Sequence, residues 1–409
     1  MFIIGTLFFI FGFVTWLNGS LIPFLKIICD LNEFEALFVT FAFYIAYTVM
    51  AFPMAYVLEK TGYKRGMSLG LGVMSIGSLI FIPAAFSGMY ILFLIALFTL
   101  GTGLTILQTA SNPYIVLIGP IESAAKRISI MGLINKSAGV LAPLVFTFLV
   151  LSDMPSGEEL MSIDKTGLAQ QLVIPYMIMA CTLLILALFI LFSKLQELSF
   201  SEDSCDDGSV FAFPKVVLGA VALFFYVGIE VIAGDTIGLY AQSIGAENAT
   251  AMTAYTMFFM VMGYIVGVVA IPKYLSQQKA LVISAYIGML FLIWAAFSSQ
   301  TSNAYSEFLW GWSGIATVAD SVMFVALLGF ANALVWPAIW PLALEGLGKY
   351  TAKASALLII AIAGGALLPL VFAQVAKYVE SMQLAYLSGI VCYLFILMYA
   401  LSWHKKKSW

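Results

Sequence analysis

Charge is what this sequence has least of. Only 10% of its 409 residues are Asp, Glu, Lys or Arg, against roughly 25% in a soluble globular domain. Histidine is scarcer still: His404 is the only one and sits beside a KKK tail, so His-based triads and HExxH metal chemistry drop out. The four cysteines, Cys29, Cys181, Cys205 and Cys392, form no close pair, and neither a disulfide framework nor a zinc site is indicated. A formal net charge of -3 singles out no charged partner, and nucleic acid is not expected to be one.

What is abundant is hydrophobicity, 63% of the chain. It comes in runs of about 20 residues or more, the span of a bilayer. Twelve are expected, at 2–28, 36–58, 67–86, 90–118, 128–151, 172–193, 213–240, 250–271, 279–298, 321–344, 354–376 and 383–403. Continuous rather than alternating runs indicate helices, which satisfy their own backbone in lipid. The first is too long for a signal h-region and lacks a cleavable small-residue end, so it is expected to be retained. The fold class is an all-α polytopic membrane protein.

An even number of spans puts both termini on one side. Of the 18 Lys and Arg residues, 14 lie in connectors after even-numbered spans or in the tail, while Lys26, Lys165 and Lys377 lie on the other face and Lys136 falls within a span. The positive-inside rule therefore places both termini in the cytoplasm, in a bacterial inner membrane.

The chain also repeats itself. GVLAPLVF (139–146) and GALLPLVF (365–372) agree at six of eight positions, and Arg127 with Lys353, Pro113 with Pro337 and Gln108 with Asn332 extend the match outward. Two six-helix halves follow: 1–193 and 213–409, joined by a polar cytoplasmic linker at 194–212. This is the layout of the major facilitator superfamily, in which cargo binds near mid-membrane between halves that rock. The loop AYVLEKTGYKRG (55–66) resembles that superfamily's G-x-x-x-D-R-x-G-R-K signature, with Glu59, Lys60, Gly62, Lys64 and Arg65 in place and Ala55 at the first glycine. An acid at a helix end with bases in a tight turn can latch neighbouring helix ends in one state; an ordinary positive-inside loop reads the same way.

FGFVTWLNGSLIPFLK (11–26), AFYIAY (42–47), GLTILQTASNPYIVLIGP (103–120), YVGIE (226–230) and NALVWPAIWPLALEGLG (332–348) together resemble the fucose and glucose/galactose permease family of that superfamily. The resemblance implies uptake of a hexose or hexose derivative driven by a cation gradient. Two departures stand out: the fucose permease pattern has an Asp after the first-span Asn and a Glu where QTASNP begins, and here these are Gly19 and Gln108. Gln108 agrees with glucose/galactose members. LNGSLIP and NKSAG resemble members that take N-acetylglucosamine.

Sugar hydroxyls need groups that donate and accept, which Asn18, Gln108, Asn112, Asn135 and Asn332 can do. Gln108 and Asn112 share a helical face; interhelical glue is the plain alternative for each amide. Trp336 and Trp340, each followed by proline in VWPAIWP, offer an aromatic face for a pyranose, or ordinary core packing. Lys136 stands about 13 Å beyond Arg127 and Glu230 about 22 Å beyond Lys215. That depth gap of about 9 Å argues against pairing, so Lys136 is expected to face the sugar cavity, with a structural ion pair as the alternative.

Glu230 is the carboxylate well inside a span and the expected coupling residue, as a Na+ ligand or a proton carrier. Asp235 lies about 140° around the helix and joins it only if the helix breaks near Gly234; otherwise it is a solvated helix end. The expected function is symport of a hexose or N-acetylhexosamine with Na+ or H+, with a facilitative uniporter as the alternative. No resident cofactor is expected, and the partners are the sugar and the bilayer, with the protein monomeric. An enzyme on a lipid-linked sugar would want a metal-binding acid cluster, and DLNEFE (30–35) and SEDSCDD (201–207) read better as solvated connectors.

Overall fold

The computed structural model describes residues 2–117, 124–151, 165–193, 195, 210–246, 248–271, 274–347, 350–406 and 408–409. Most of the expected linker, with Cys205 and SEDSCDD, lies outside the described residues. Among those described, twelve helices are long and apolar enough to cross a membrane: α1 (Ile3–Ile28), α2 (Glu33–Met54), α3 (Lys60–Ser87), α4 (Tyr90–Ser111), α5 (Arg127–Val150), α6 (Gly167–Phe192), α7 (Pro214–Asp235), α8 (Ala249–Ala270), α9 (Gln277–Phe297), α10 (Asp320–Leu344), α11 (Leu357–Tyr378) and α12 (Met382–Lys405). Each coincides with an expected span.

Several of these helices are interrupted, three of them beside residues of interest. The α1 helix pauses at Leu17, between Phe2–Trp16 and Asn18–Ile28. The α7 helix ends at Asp235, bends at Thr236 and resumes as Ile237–Ser243. In α10 the break falls at Ala333 and Leu334, because Pro337 has no N–H to return to the Ala333 carbonyl. The turn from α2 to α3 is made by Gly62, whose φ of 75° and ψ of 171° suit glycine.

The halves pack by one rule used twice. Within a half, α1 lies on α5 and α7 on α11; between halves, α5 meets α8 and α11 meets α2. Shifting every helix number by six exchanges the two sets. Glycine makes the first kind of contact close: a Cβ on Gly12 of α1 would lie 1.8 Å from the Asn135 carbonyl oxygen, and one on Gly364, beside α7, 1.8 Å from the Phe224 carbonyl oxygen.

The end of the bundle opposite the termini is sealed between halves. The Ser20 hydroxyl donates to the Thr250 carbonyl, the Thr147 and Thr250 hydroxyls are 2.9 Å apart, and the Thr40 hydroxyl donates to Asp235 Oδ2 at 3.0 Å. A Cβ on Gly19 would stand 2.0 Å from Thr253 Oγ1 and 2.9 Å from the Gly234 carbonyl oxygen. Nearby, Lys26 faces Glu33 at 3.7 Å and Lys165 pairs with Asp30, so two of the three basic residues expected on this face have acids beside them.

The glycine contact sets a test. Gly12→Val is expected to lower the thermal midpoint of the detergent-solubilised protein by several degrees, since overpacking costs about 1–3 kcal/mol or more. Gly72→Val, at a site with nothing within 4 Å of the added atom, is expected to leave it unchanged.

Candidate functional site

Two charges meet between the halves. Lys136 Nζ on α5 donates to Glu230 Oε1 on α7 at 2.6 Å, with the side chains 11% and 10% exposed. The ammonium also lies 4.4 Å from the centroid of the Trp16 ring on α1. That indole is set in a slot: a Cβ on Gly139 of α5 would come within 2.6 Å of its Cδ1, and one on Gly234 of α7 within 2.5 Å of its Cζ3. Trp16 Nε1 is buried without a partner.

The pair corrects the expectation from depth, which set Lys136 apart from Glu230. Arg127 is a poor marker of the membrane edge: it is buried, and its Nε donates to the Ile115 carbonyl at 2.9 Å. The helix carrying Lys136 begins at Ala124, which places Lys136 about 18 Å along it, against about 24 Å for Glu230 along the helix from Pro214. A lysine stem spans the remaining difference.

From Glu230 an aromatic lane runs into the C-terminal half. Tyr226 is one turn back on α7, its ring centroid 6.2 Å from that of half-buried Trp336, which is 5.5 Å from that of Trp340. Trp16, the charge pair and Trp336 thus lie along one contiguous path from α1 to α10.

The amides divide. Gln108 Nε2 donates to the Tyr47 hydroxyl at 3.1 Å and stays half-buried. Asn18, at the α1 break, is buried with its Nδ2 unpartnered. Asn135 ties α5 to α1 through the Phe8 carbonyl at 3.2 Å. Asn332 accepts from the Tyr393 hydroxyl at 2.8 Å, a bond inside the C-terminal half, and its Nδ2 is unpartnered. The side chains of Asn112 and Glu59 lie outside those described.

Asp235 is not a solvated helix end. It is fully buried, and its helix continues unbroken through Gly234, so it does not turn toward Glu230. Among the described residues no group of three or more His, Cys, Asp or Glu side chains gathers.

In the 55–66 loop, Lys60 lies over the Tyr56 ring at 4.3 Å, Gly62 makes the turn, and Arg65 is exposed. Lys64 Nζ donates to the Ser193 carbonyl at 2.7 Å, which sets a cation on the C-terminal end of α6. This contact stays within one half. A separate surface pocket of about 890 Å³, lined by Lys215, Glu345, His404 and Lys405 among others, opens at the tail, away from the charge pair.

Trp16, Tyr47, Thr40 and Tyr226 are the site residues that sequence reasoning missed. Trp16, Tyr47 and Tyr226 sit inside the stretches that carry the family resemblance, Trp16 two residues from Asn18 and Tyr226 four from Glu230, whereas Thr40 carries no such signal.

The family model described as Major Facilitator Superfamily matches residues 4–369. A glucose/galactose transporter of Brucella abortus biovar 1 (strain 9-941) is similar to this chain, 32% identical over 404 residues covering 97% of it and 92% of the relative. The L-fucose-proton symporter of Escherichia coli (strain K12) is 26% identical over 416 residues, 97% of this chain and 91% of its own. A crystal structure of a superfamily transporter, FucP, in the outward conformation matches with a TM-score of 0.73 at 25% identity over 97% of each chain. With its twelve spans and paired halves, the chain belongs to the Major Facilitator Superfamily, a family of multi-pass membrane transporters and not of enzymes, where it groups with the fucose and glucose/galactose permeases.

Proposed function

We propose that this chain is a proton-coupled sugar symporter that moves a hexose or hexose derivative, such as glucose, galactose or N-acetylglucosamine, by alternating access. The observation that carries the reading is the Lys136–Glu230 pair, which joins α5 to α7 from opposite halves inside the membrane. A charge at that depth costs about 2.5–3.5 kcal/mol even on lenient scales, so whatever separates the halves must first replace one partner of the pair. A sugar hydroxyl on Lys136 with a proton on Glu230 does so without leaving a charge bare.

The cargo fits the surroundings. The Trp16 and Trp336 rings offer flat apolar faces, Gln108 a half-buried amide, and Asn18 and Trp16 buried donors without partners, as a sugar site requires. Asn112 keeps its place on the strength of the family resemblance. Asn135 and Asn332 are read as glue within each half.

The coupling carboxylates are Glu230 and Asp235, and the ion is read as a proton. One relative is named a proton symporter, and an ammonium already occupies the Glu230 oxygen that a Na+ would need. The moving bodies are residues 1–193 and 213–409, joined by 194–212, in a monomer in a bacterial inner membrane. The lysine-rich face places the termini in the cytoplasm. An uncoupled uniporter is the second reading, favoured by the same pair if it never opens.

Uptake of labelled glucose, galactose, fucose and N-acetylglucosamine into proteoliposomes, under imposed pH or Na+ gradients, tests this. One sugar should accumulate in response to the pH gradient, and Glu230→Gln should abolish accumulation. Equal accumulation by the parent and Glu230→Gln would remove Glu230 from coupling, and counterflow without accumulation in the parent would establish the uniporter.

Two further outcomes are expected. Lys136→Met or Glu230→Gln alone should destabilise the purified protein by about 3–5 kcal/mol, because each strands a buried charge. The double substitution should regain most of that in thermal unfolding. Trp336→Ala should raise the KM for the transported sugar about 5-fold or more, the scale of one lost aromatic contact.

A further inference from the structure

We propose that Asp235 is the proton-binding group of the outer gate, and that the outer end closes only over its neutral carboxylic acid. Three observations carry this.

The first is isolation. Asp235 is fully buried, among the described residues it makes no ion pair, and its Oδ1 has no hydrogen-bond partner. Lys136 is engaged by Glu230. A bare carboxylate out of water costs far more than a neutral acid lacking one hydrogen bond.

The second is where the nearby donors go. Thr253 donates to the Gly234 carbonyl at 2.7 Å, Thr256 to Ala233 at 3.1 Å and Thr236 to Ile232 at 2.6 Å. Three hydroxyls around the end of α7 thus satisfy backbone carbonyls, and only Thr40 reaches the carboxyl group.

The third is position. The Thr40 bond crosses from α2 to α7, so it belongs to the seal between halves and is lost when that seal parts. The opened gate admits water to Asp235 and lets it ionise; the closed gate does not. By linkage, a proton that closure favours must itself favour closure by the same factor.

The titratable groups near Asp235 are Tyr44 from α2 and Glu230 from its own helix. From α1 and α8 it is flanked by Gly19, Thr253 and Thr256, which do not titrate. Tyr386 of α12 faces the adjacent Thr236, and Lys377 at the same end of α11 is exposed. None of these supplies a cation to the carboxyl group.

The inference deepens the proton-coupled reading and rests on it for its meaning in transport, but the gate can be measured without sugar or transport. Spin labels at Ser87→Cys on α3 and Ser243→Cys beyond α7 are exposed, at the outer end and on opposite halves. They would be placed in the full chain with its four native cysteines replaced, in lipid nanodiscs, and the inter-label distance measured by electron–electron resonance from about pH 5 to about pH 9, across the usual carboxylate range and above it. In the parent background the short distance should dominate at low pH, with a longer population growing as pH rises. Asp235→Asn should hold the short distance throughout, and Glu307→Gln, at an exposed acid on the same end of the bundle, should keep the response of the parent.

A pH-independent parent, or an Asp235→Asn variant that responds as the parent does, would overturn the assignment. So would a response lost in Glu307→Gln and kept in Asp235→Asn. A responding gate in a protein that shows no proton-driven uptake would leave this inference standing and remove the symport.

Discussion

An ion pair whose two members belong to different halves is the constraint on which this molecule turns. Neither half can set its charge in the membrane alone. Lys136 needs Glu230 from across the interface, and the two approach to 2.6 Å. Glycine makes room around them: position 12 lets α1 reach the α5 backbone, and positions 139 and 234 leave the slot that holds the Trp16 ring. Buried pairs contribute little net stability compared with well-packed apolar residues, so this one is better understood as a register between halves than as cement.

Charge and small residues are distributed accordingly. The outer seal is made of hydroxyls, glycines and one carboxyl group, groups that part without exposing a large apolar face. The long aromatic side chains lie deeper, where Tyr226, Trp336 and Trp340 follow one another in tilted contact. Lys64, by contrast, fastens α3 to the end of α6 within a single half.

The twelve spans were legible because hydrophobic run length is set by the bilayer and by little else. The doubling was legible because GVLAPLVF and GALLPLVF keep a glycine and a proline where α5 and α11 must approach a neighbour and bend. The pairing of Lys136 was not, since depth counted from a loop residue assumes that the residue marks the membrane edge, and Arg127 is tucked inward instead. Asp235 misled for a related reason: an acid at the end of an apolar run usually meets water, and only the packing of α1, α2 and α8 around it shows otherwise. Asn135 and Asn332 are equally opaque in sequence, because an amide that glues helices and one that meets cargo are the same residue until their partners are seen.

The broken α10 helix has a mechanical consequence. Its first piece, Asp320–Asn332, is moored to α12 through Tyr393, while the second, the ten residues Val335–Leu344, carries both tryptophans beyond the missing proline hydrogen bond. A ten-residue piece set off by that break is held by its packing alone, so the placement of the two indoles depends on what neighbours such as Tyr226 allow.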